Sequence, residues 1–461
     1  MMNKEPQRYH SAIVLGLGTS GAAAAELLRA EGARVVAVDR SATVSGDVAA
    51  LERIGVEVHT GGSALPPGAF DVAILSPGVP ADAPWVRELE QRGMPAISEL
   101  ELGWRRCRSR VLAVTGSNGK STMVKLCCEA LAHAGVRVVA GGNYGTPLSR
   151  LVLEQPDADW IVLEVSSFHL ERVVGFRPDV GVLMNVYPNH LDRHGDLATY
   201  AGLKARLFAR MGPADLAVFV EDSAGWVPQG EGVRRVSFGL SPTADCRYVP
   251  GAITFPGRWL GRASVGEARL DIRGSVFDNE ILGLTAAAAV AAVSGCGGSP
   301  AHVADVARSF EPLPHRMQPV ARIGQVQFVN NSKATNMAAL GAALRMSTGA
   351  VRLIAGGLLK EKEFGAVKSL LKQKVRKAYL IGKAASVLTE AWRECIECVD
   401  CMEIEKAVSS AWREAQPGET ILLAPGCASF DQFRNFEERG ERFMQLVRNL
   451  ELGKGEGVQS R

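Results

Sequence analysis

The sequence predicts an α/β protein of three consecutive domains, each an open, mainly parallel sheet flanked by helices. Three observations lead there. The chain has 461 residues, too many for one core when single domains cluster at roughly 100–200 residues. Apolar runs of strand length alternate with helical patterns along the whole chain, which is the mark of βαβ units. Two of the predicted strands also end in glycine-rich turns that open helices, "GLGTSG" at Gly16–Gly21 and "GSNGKST" from Gly116.

The first domain is placed at residues 1–110. "SAIVLGLG" reads as a strand, "SGAAAAELLRAEG" as a helix and "RVVAVD" as the next strand; "VEVHTG", "DVAILSPG" and "MPAIS" continue the series, and the charged "WRRCRSR" closes it. The second, residues 111–313, starts with the strand "RVLAVTG". Further strands follow at "RVVAGGN", "WIVLEVSS", "VGVLMNV" and "LAVFVED", then short β pieces from about Ser237 to Val276. An alanine-rich helix after Leu282 leads to "FEPLPHR", whose prolines mark a boundary. The third domain, residues 314–461, alternates again through "VQFVNNSKATN", "ALGAALRMS", "VRLIAGG", "KAYLIG" and "TILLAPG".

Composition excludes several classes. With 47% hydrophobic and 22% charged residues and a net charge of +3, nothing points to a nucleic-acid partner or a membrane surface. The longest apolar run, Leu284–Val293, is about half of a bilayer span. The N-terminal apolar stretch ends in a glycine turn and not in a cleavage site, so a cytoplasmic protein is expected. Nine cysteines would be reduced there. Cys395, Cys398 and Cys401 in "CIECVDC" have two CxxC spacings, open to zinc or an iron–sulfur cluster. The alternation favours a strand and turn leading into the helix "MEIEKAVSSAWREA".

"TGSNGKST" raises the sharpest question. The common phosphate loop has four residues between its first glycine and Gly-Lys-Ser/Thr; here that position is Val114, and the nearest upstream glycine is Gly116. The strand–turn–helix context still suits an anion. Gly116 and Gly119 admit close backbone approach, and the helix beginning near Lys120 offers free N–H groups and its positive dipole end. Lys120 would reach β/γ oxygens, and Ser121 or Thr122 could ligate Mg²⁺. "GLGTSG" with Asp39 closing the next strand fits a dinucleotide fingerprint, which taken alone says dehydrogenase.

Glu164, in "LEVSSFHLE", and His190, in "NVYPNHLDRHG", fall at the carboxyl ends of strands, where ligands of open sheets sit. A carboxylate there suits Mg²⁺. Lys204 on the following helix reads, from pattern alone, as a solvated helix lysine. In the third domain Arg316, Lys333 and Lys360 are loop cations that could together meet phosphate and a carboxylate.

Together "TGSNGKST", "LEVSSFHLE", "NVYPNHLDRHG" with Lys204, "LPHR", "NSKATN" and "CASFDQFRNFEERG" resemble the Mur ligases, in family order and over nearly the whole chain. The resemblance implies a UDP-substrate-binding Rossmann-like domain, a central ATPase domain with an extra small β part, and a C-terminal dinucleotide-fold-like domain for ATP and the amino acid. It implies an ADP-forming amide ligase; the last motif indicates glutamate, D- more than L-, added to UDP-N-acetylmuramoyl-L-alanine in peptidoglycan precursor synthesis. The cofactors implied are ATP, two Mg²⁺ ions and a CO₂-derived carbamate on Lys204. A monomer acting on these small molecules is expected.

Carried over by motif, Lys120, His190 and Lys204 are catalytic. Thr115, Gly116, Ser117, Asn118, Gly119, Lys120, Ser121, Thr122, Asn279, Arg316 and Asn331 bind ATP. Ser121, Glu164, His190 and the Lys204 carbamate hold metal. Thr19, Ser20, Asp39, Ser76, Pro77, Gly78, Asn143 and Ser166 meet the UDP-substrate, and Thr335, Lys360, Ser429 and Phe436 the glutamate. Three positions depart from the pattern: Asn331 for an aspartate, Leu282 for a second adenine-side asparagine, and leucine before Lys360 in "GGLLK". These changes favour altered ATP contacts over lost activity. The rivals are a folylpolyglutamate-synthetase-like ligase and a non-catalytic nucleotide-binding module.

Overall fold

The computed structural model describes residues 8–62, 64–143, 145–227, 232–260, 266–360 and 364–453. Residues 361–363 of "GGLLKEKEF" and Tyr144 of "GGNYG" lie outside them. Three sheets form, and the contacts divide the chain into two compact units. One unit comprises Met1–Val186 and Ala198–Phe310 and carries the first two sheets. The other comprises Tyr187–Leu197 and Glu311–Arg461 and carries the third.

The first sheet has strands β1 (Ser11–Leu15), β2 (Arg34–Asp39), β3 (Glu57–Thr60), β4 (Val72–Leu75) and β5 (Ala96–Ser98), in the order β3-β2-β1-β4-β5. All pairs are parallel. Strands buried on both faces read as continuous apolar runs, which is why "AIVL" and "VAIL" are fully buried. The order reverses at β1, so the turns after β1 and β4 flank the crevice in which such sheets bind ligands.

The second sheet comprises β6 (Arg110–Thr115), β7 (Val138–Gly142), β8 (Trp160–Glu164), β9 (Val180–Leu183), β10 (Leu216–Val220), β11 (Arg234–Gly239), β12 (Cys246–Val249), β13 (Ala252–Pro256) and β14 (Glu267–Asp271). Its order is β14-β13-β12-β11-β10-β9-β6-β8-β7. Pairing is parallel from β7 to β12 and antiparallel in the β12–β14 extension. Helices Lys120–His133 and Glu280–Gly295 pack one face through Val124, Leu131, Ala287 and Val290; Leu148, Phe176 and Phe208 cover the other. The alanine-rich helix starts at Glu280, slightly earlier than its composition suggests, because Asn279 caps it.

The third sheet holds β15 (Gln318–Ile323), β16 (Val326–Asn330), β17 (Val351–Gly356), β18 (Val375–Ile381), β19 (Glu397–Met402) and β20 (Thr420–Leu423), ordered β15-β16-β20-β17-β18-β19. Only β15 runs antiparallel to its neighbour. "CIECVDC" supplies β19, with Cys398 packing against one core cluster and Cys401 within the other, so strand pleating sends their thiols to opposite faces. Among the described residues no group of three His, Cys, Asp or Glu side chains is placed to hold a metal.

Candidate active site

The phosphate loop follows β6, in the middle of the second sheet. Gly116 has φ 149°, and a Cβ there would lie 2.8 Å from the Met184 Cβ and 3.2 Å from the Asn185 nitrogen. Gly119 has φ 84° and caps the helix Lys120–His133, so it too favours glycine. The Lys120 Nζ folds back over the loop, donating to Gly116 O at 2.8 Å and Ser117 O at 3.0 Å. Ser117 and Thr115 are buried at the loop's start, and Asn118 and Thr122 are half-buried.

Glu164 ends β8 beside this loop and is buried. One carboxylate oxygen accepts the Ser121 hydroxyl; the other accepts Asn143 Nδ2 at 2.7 Å, while Asn143 N donates to Glu164 O at 2.8 Å. Carboxylate and hydroxyl oxygens at the mouth of a helix N-terminus are hard donors, the chemistry that Mg²⁺ takes, so these residues fit that ion.

Lys204 is 1% exposed, and the solvated-lysine reading of its pattern is corrected. Its Nζ donates to Gly116 O at 3.0 Å and lies 4.4 Å from the Tyr200 ring centroid. Burial first, and then the charge of Lys120, hold its pKa well below the ordinary lysine range; Glu164 opposes this only in part. Lys120, Ser121, Asn143, Glu164 and Lys204 therefore meet at one loop.

A cavity of about 570 Å³ opens in the same unit, a volume suited to a nucleotide-sized ligand. Thr19, Ser20, Asp39, Ser76, Pro77, Gly78 and Asn143 line it. Asp39 braces the glycine turn: Oδ2 accepts Leu17 N at 2.7 Å and Oδ1 accepts Ser41 N at 2.8 Å. That backbone role accounts for the acid at this strand end without a dinucleotide ribose. Gly21 is obligatory, since a Cβ would come within 1.8 Å of Gly16 O. Ser166 is absent from the lining, but its hydroxyl lies 2.6 Å from Nδ1 of His169, which does line the cavity. Burial lowers the His169 pKa to about 4, so its ring is neutral.

Motif reasoning missed His169, Arg40 and Trp85 in this lining. Arg40 had a signal, a cation directly after the strand-end Asp39; its guanidinium lies 5.1 Å from the Trp85 ring centroid. Asn279 half-caps its helix, accepting Leu282 N at 3.0 Å and donating to Val276 O at 2.8 Å. The Leu282 side chain packs against the apolar core.

In the second unit, Asn331 is buried after β16 and accepts Met317 N at 3.1 Å. It thereby holds the turn bearing Arg316, whose neighbours His315 and Met317 have φ of 60° and 45°. Arg439 is fully buried; it donates to Ser332 Oγ, Ser332 O and Cys427 O at 3.0, 2.9 and 3.2 Å, tying the loop of Thr335 to that of Ser429. Phe436 opens the helix Phe436–Glu451, and the Lys333 Nζ stands 3.7 Å from its ring centroid. The Lys360 Nζ stands 5.7 Å from the ring of Phe430. His190 has φ 56° and caps the short helix Leu191–His194, in the segment that groups with this unit.

Fold and site define an α/β nucleotide-phosphate-binding protein built on three sheets, with an acid and a buried lysine at its phosphate loop. Three family models match in order: "Mur ligase MurD-like, N-terminal domain" at residues 10–98, "Mur ligase middle domain" at 114–252 and "Mur ligase, glutamate ligase domain" at 315–427. The chain belongs to the Mur ligase family. It is 37% identical over 447 residues to the UDP-N-acetylmuramoylalanine–D-glutamate ligase of Acidobacterium capsulatum, covering 94% of this chain and 95% of that one. It is likewise 37% identical over 456 residues to the ligase of that name from Pelotomaculum thermopropionicum, with 96% and 98% covered. Among solved structures, the UDP-N-acetylmuramate-alanine ligase MurC of Thermotoga maritima matches with a TM-score of 0.59 at 14% identity, covering 96% of this chain and all of that one. The MurF ligase of Thermotoga maritima in complex with ADP matches with a TM-score of 0.57 at 17% identity, covering 98% of both chains. At such identities the structural likeness concerns the fold.

Proposed function

We propose that the chain is an ATP-dependent, ADP-forming ligase that adds D-glutamate to UDP-N-acetylmuramoyl-L-alanine in peptidoglycan precursor synthesis. Relatives named for that activity align over nearly all of it. The observation that carries the chemistry is the gathering at the phosphate loop of Lys120 and Lys204, which share the Gly116 carbonyl, with the bonded pair Ser121 and Glu164. In this reading residues 1–110 hold the UDP-substrate, 111–313 the ATP, and 314–461 the amino acid, in a cytoplasmic monomer.

A carboxylate is a poor electrophile, and phosphorylation gives it a leaving group. A substrate carboxylate oxygen bonds to the γ-phosphorus as the bond to ADP breaks, giving an acyl phosphate. The glutamate amine then attacks the acyl carbon, loses a proton, and the tetrahedral intermediate expels phosphate to leave the amide. Lys120 and the helix N–H groups meet charge developing on the phosphoryl oxygens. Mg²⁺, held by Ser121 and Glu164, supplies further neutralisation when bound; the sequence motif assigns His190 a part in a second such ion. Asn143 orients Glu164 and faces the substrate cavity.

Lys204 acts as a carbamate. Its neutral amine bonds to the carbon of CO₂ and releases a proton, turning a cation into an oxygen donor. Burial beside Lys120 supports this, because both disfavour the ammonium form.

The test is ADP release with ATP, Mg²⁺, the UDP-substrate and each glutamate enantiomer. Release should require every component and favour D-glutamate. Folded protein that releases no ADP with all present would end the reading; preference for L-glutamate would end the stereochemical part.

A further inference from the structure

Asn185 stands just past β9, which lies directly beside β6. The last ladder bond between the two strands, Met184 N to Thr115 O at 2.9 Å, brings this strand end level with the start of the phosphate loop. Beyond it, Asn185 O accepts Ser117 N at 3.0 Å. The Asn185 side chain then takes both polar groups of Asn118: Oδ1 accepts its N–H at 2.9 Å, and Nδ2 donates to its carbonyl at 3.2 Å. A side-chain amide is thereby pairing with the loop as another strand would.

Phosphate loops ordinarily turn their early N–H groups onto the anion. Here the N–H groups of Ser117 and Asn118 point to Asn185 instead. The short spacing leaves the anion to Lys120 and to the helix start after Gly119, whose first N–H groups have no intrahelical acceptor. Gly116 completes the fit, because a side chain there would collide with Met184 and crowd Asn185.

We propose that Asn185 is a positioning residue for the nucleotide phosphates: from the neighbouring strand it holds the short loop in the shape that sets Lys120 and Ser121. It bonds to the loop's main chain and touches no reacting atom, so it is not itself catalytic. The inference rests on the ATP reading of the loop. Misplacing phosphate-binding groups by about an ångström costs up to roughly a hundredfold in an active site.

Calorimetric titration with Mg·ADP and with the UDP-substrate tests it, alongside KM for each substrate. Wild-type protein is titrated first, and if it binds no nucleotide the ATP reading itself falls, before any variant is compared. Asn185→Ala should weaken Mg·ADP binding and raise the KM for ATP about tenfold or more. Its KM for the UDP-substrate should stay within about twofold, which a general loss of structure would not allow. Asn185→Gln, which keeps the amide but moves it by one methylene, should also weaken nucleotide binding. Wild-type nucleotide affinity in either folded variant, or parallel losses for both substrates, would overturn the proposal; if the alanine variant does not fold, the glutamine variant decides.

Discussion

Glu99 should make the first unit lose stability between about pH 5 and pH 8. It is the first residue of the helix Glu99–Arg106 and is 1% exposed. Its Oε1 accepts Ser149 N at 2.7 Å, and this bond and one from the Ser149 side chain offset complete desolvation only in part. Burial raises its pKa from 4.5 to about 7. The native state therefore keeps a proton that the unfolded chain has released above pH 4.5. The resulting contribution is fully present below the unfolded value and is lost as pH rises through 7. The shift of about 2.5 units, at about 1.36 kcal/mol each, amounts to about 3 kcal/mol by pH 8.

His169 works in the opposite sense: its pKa is lowered to about 4, so its penalty is relieved as pH rises from 4 to 6.5. The two slopes overlap below pH 6.5, and a single pH profile would mix them. Glu99→Gln separates them, because it keeps an acceptor for Ser149 N and removes the titration. Desolvating the new amide N–H groups offsets about 1 kcal/mol or more, so a net gain of about 1–2 kcal/mol over wild type is expected at pH 8. At pH 5 that gain should vanish or reverse. Urea unfolding of both proteins at half-unit pH steps reads the difference directly. A difference that stays constant from pH 5 to 8 would refute the buried-acid account.

Lys204→Ala should lose most ligase activity, with partial recovery in acetate, and CO₂-depleted buffer should reversibly slow the wild type; a near-wild-type alanine variant would remove the carbamate role. Lys360→Ala should raise the KM for glutamate about tenfold or more while leaving that for the UDP-substrate nearly unchanged, and equal rises would place Lys360 elsewhere. Gly21→Ala puts a methyl group against Gly16 O and should cost roughly 3 kcal/mol or more along with affinity for the UDP-substrate; an unchanged unfolding midpoint would contradict the close approach. Chelating Mg²⁺ should stop ADP release, and adding excess Mg²⁺ should restore it.

The sheets were legible because parallel strands buried on both faces leave unbroken apolar runs, as in "RVLAVT" and "WIVLE". The phosphate loop was legible despite its spacing, because strand, glycine turn and helix kept their order. Lys204 was legible only through the family motif: a helix pattern records which neighbours along the helix are apolar, and this lysine, beside the Tyr200 ring one turn earlier, also meets a carbonyl 88 residues away in the phosphate loop. Asn185 opens the motif "NVYPNHLDRHG", yet its part in the loop left no trace, since an asparagine after a strand looks like any turn residue until the adjacent strand is known. The departure at Asn331 gains a physical meaning that sequence could not supply, an amide oxygen fixing the turn that bears Arg316.

Lys120 is a latch closed on its own loop. Its ammonium already answers two carbonyls, and Lys204 shares one of them. An arriving anion must exchange those contacts for its own before the lysine can swing towards it. A polyphosphate, with many oxygens and a metal ion, meets that exchange readily. A lone inorganic phosphate offers far less in return. On the proposed ligase reading, the loop therefore discriminates by how much charge a visitor brings, and the product phosphate leaves a site whose cation has two carbonyls to return to.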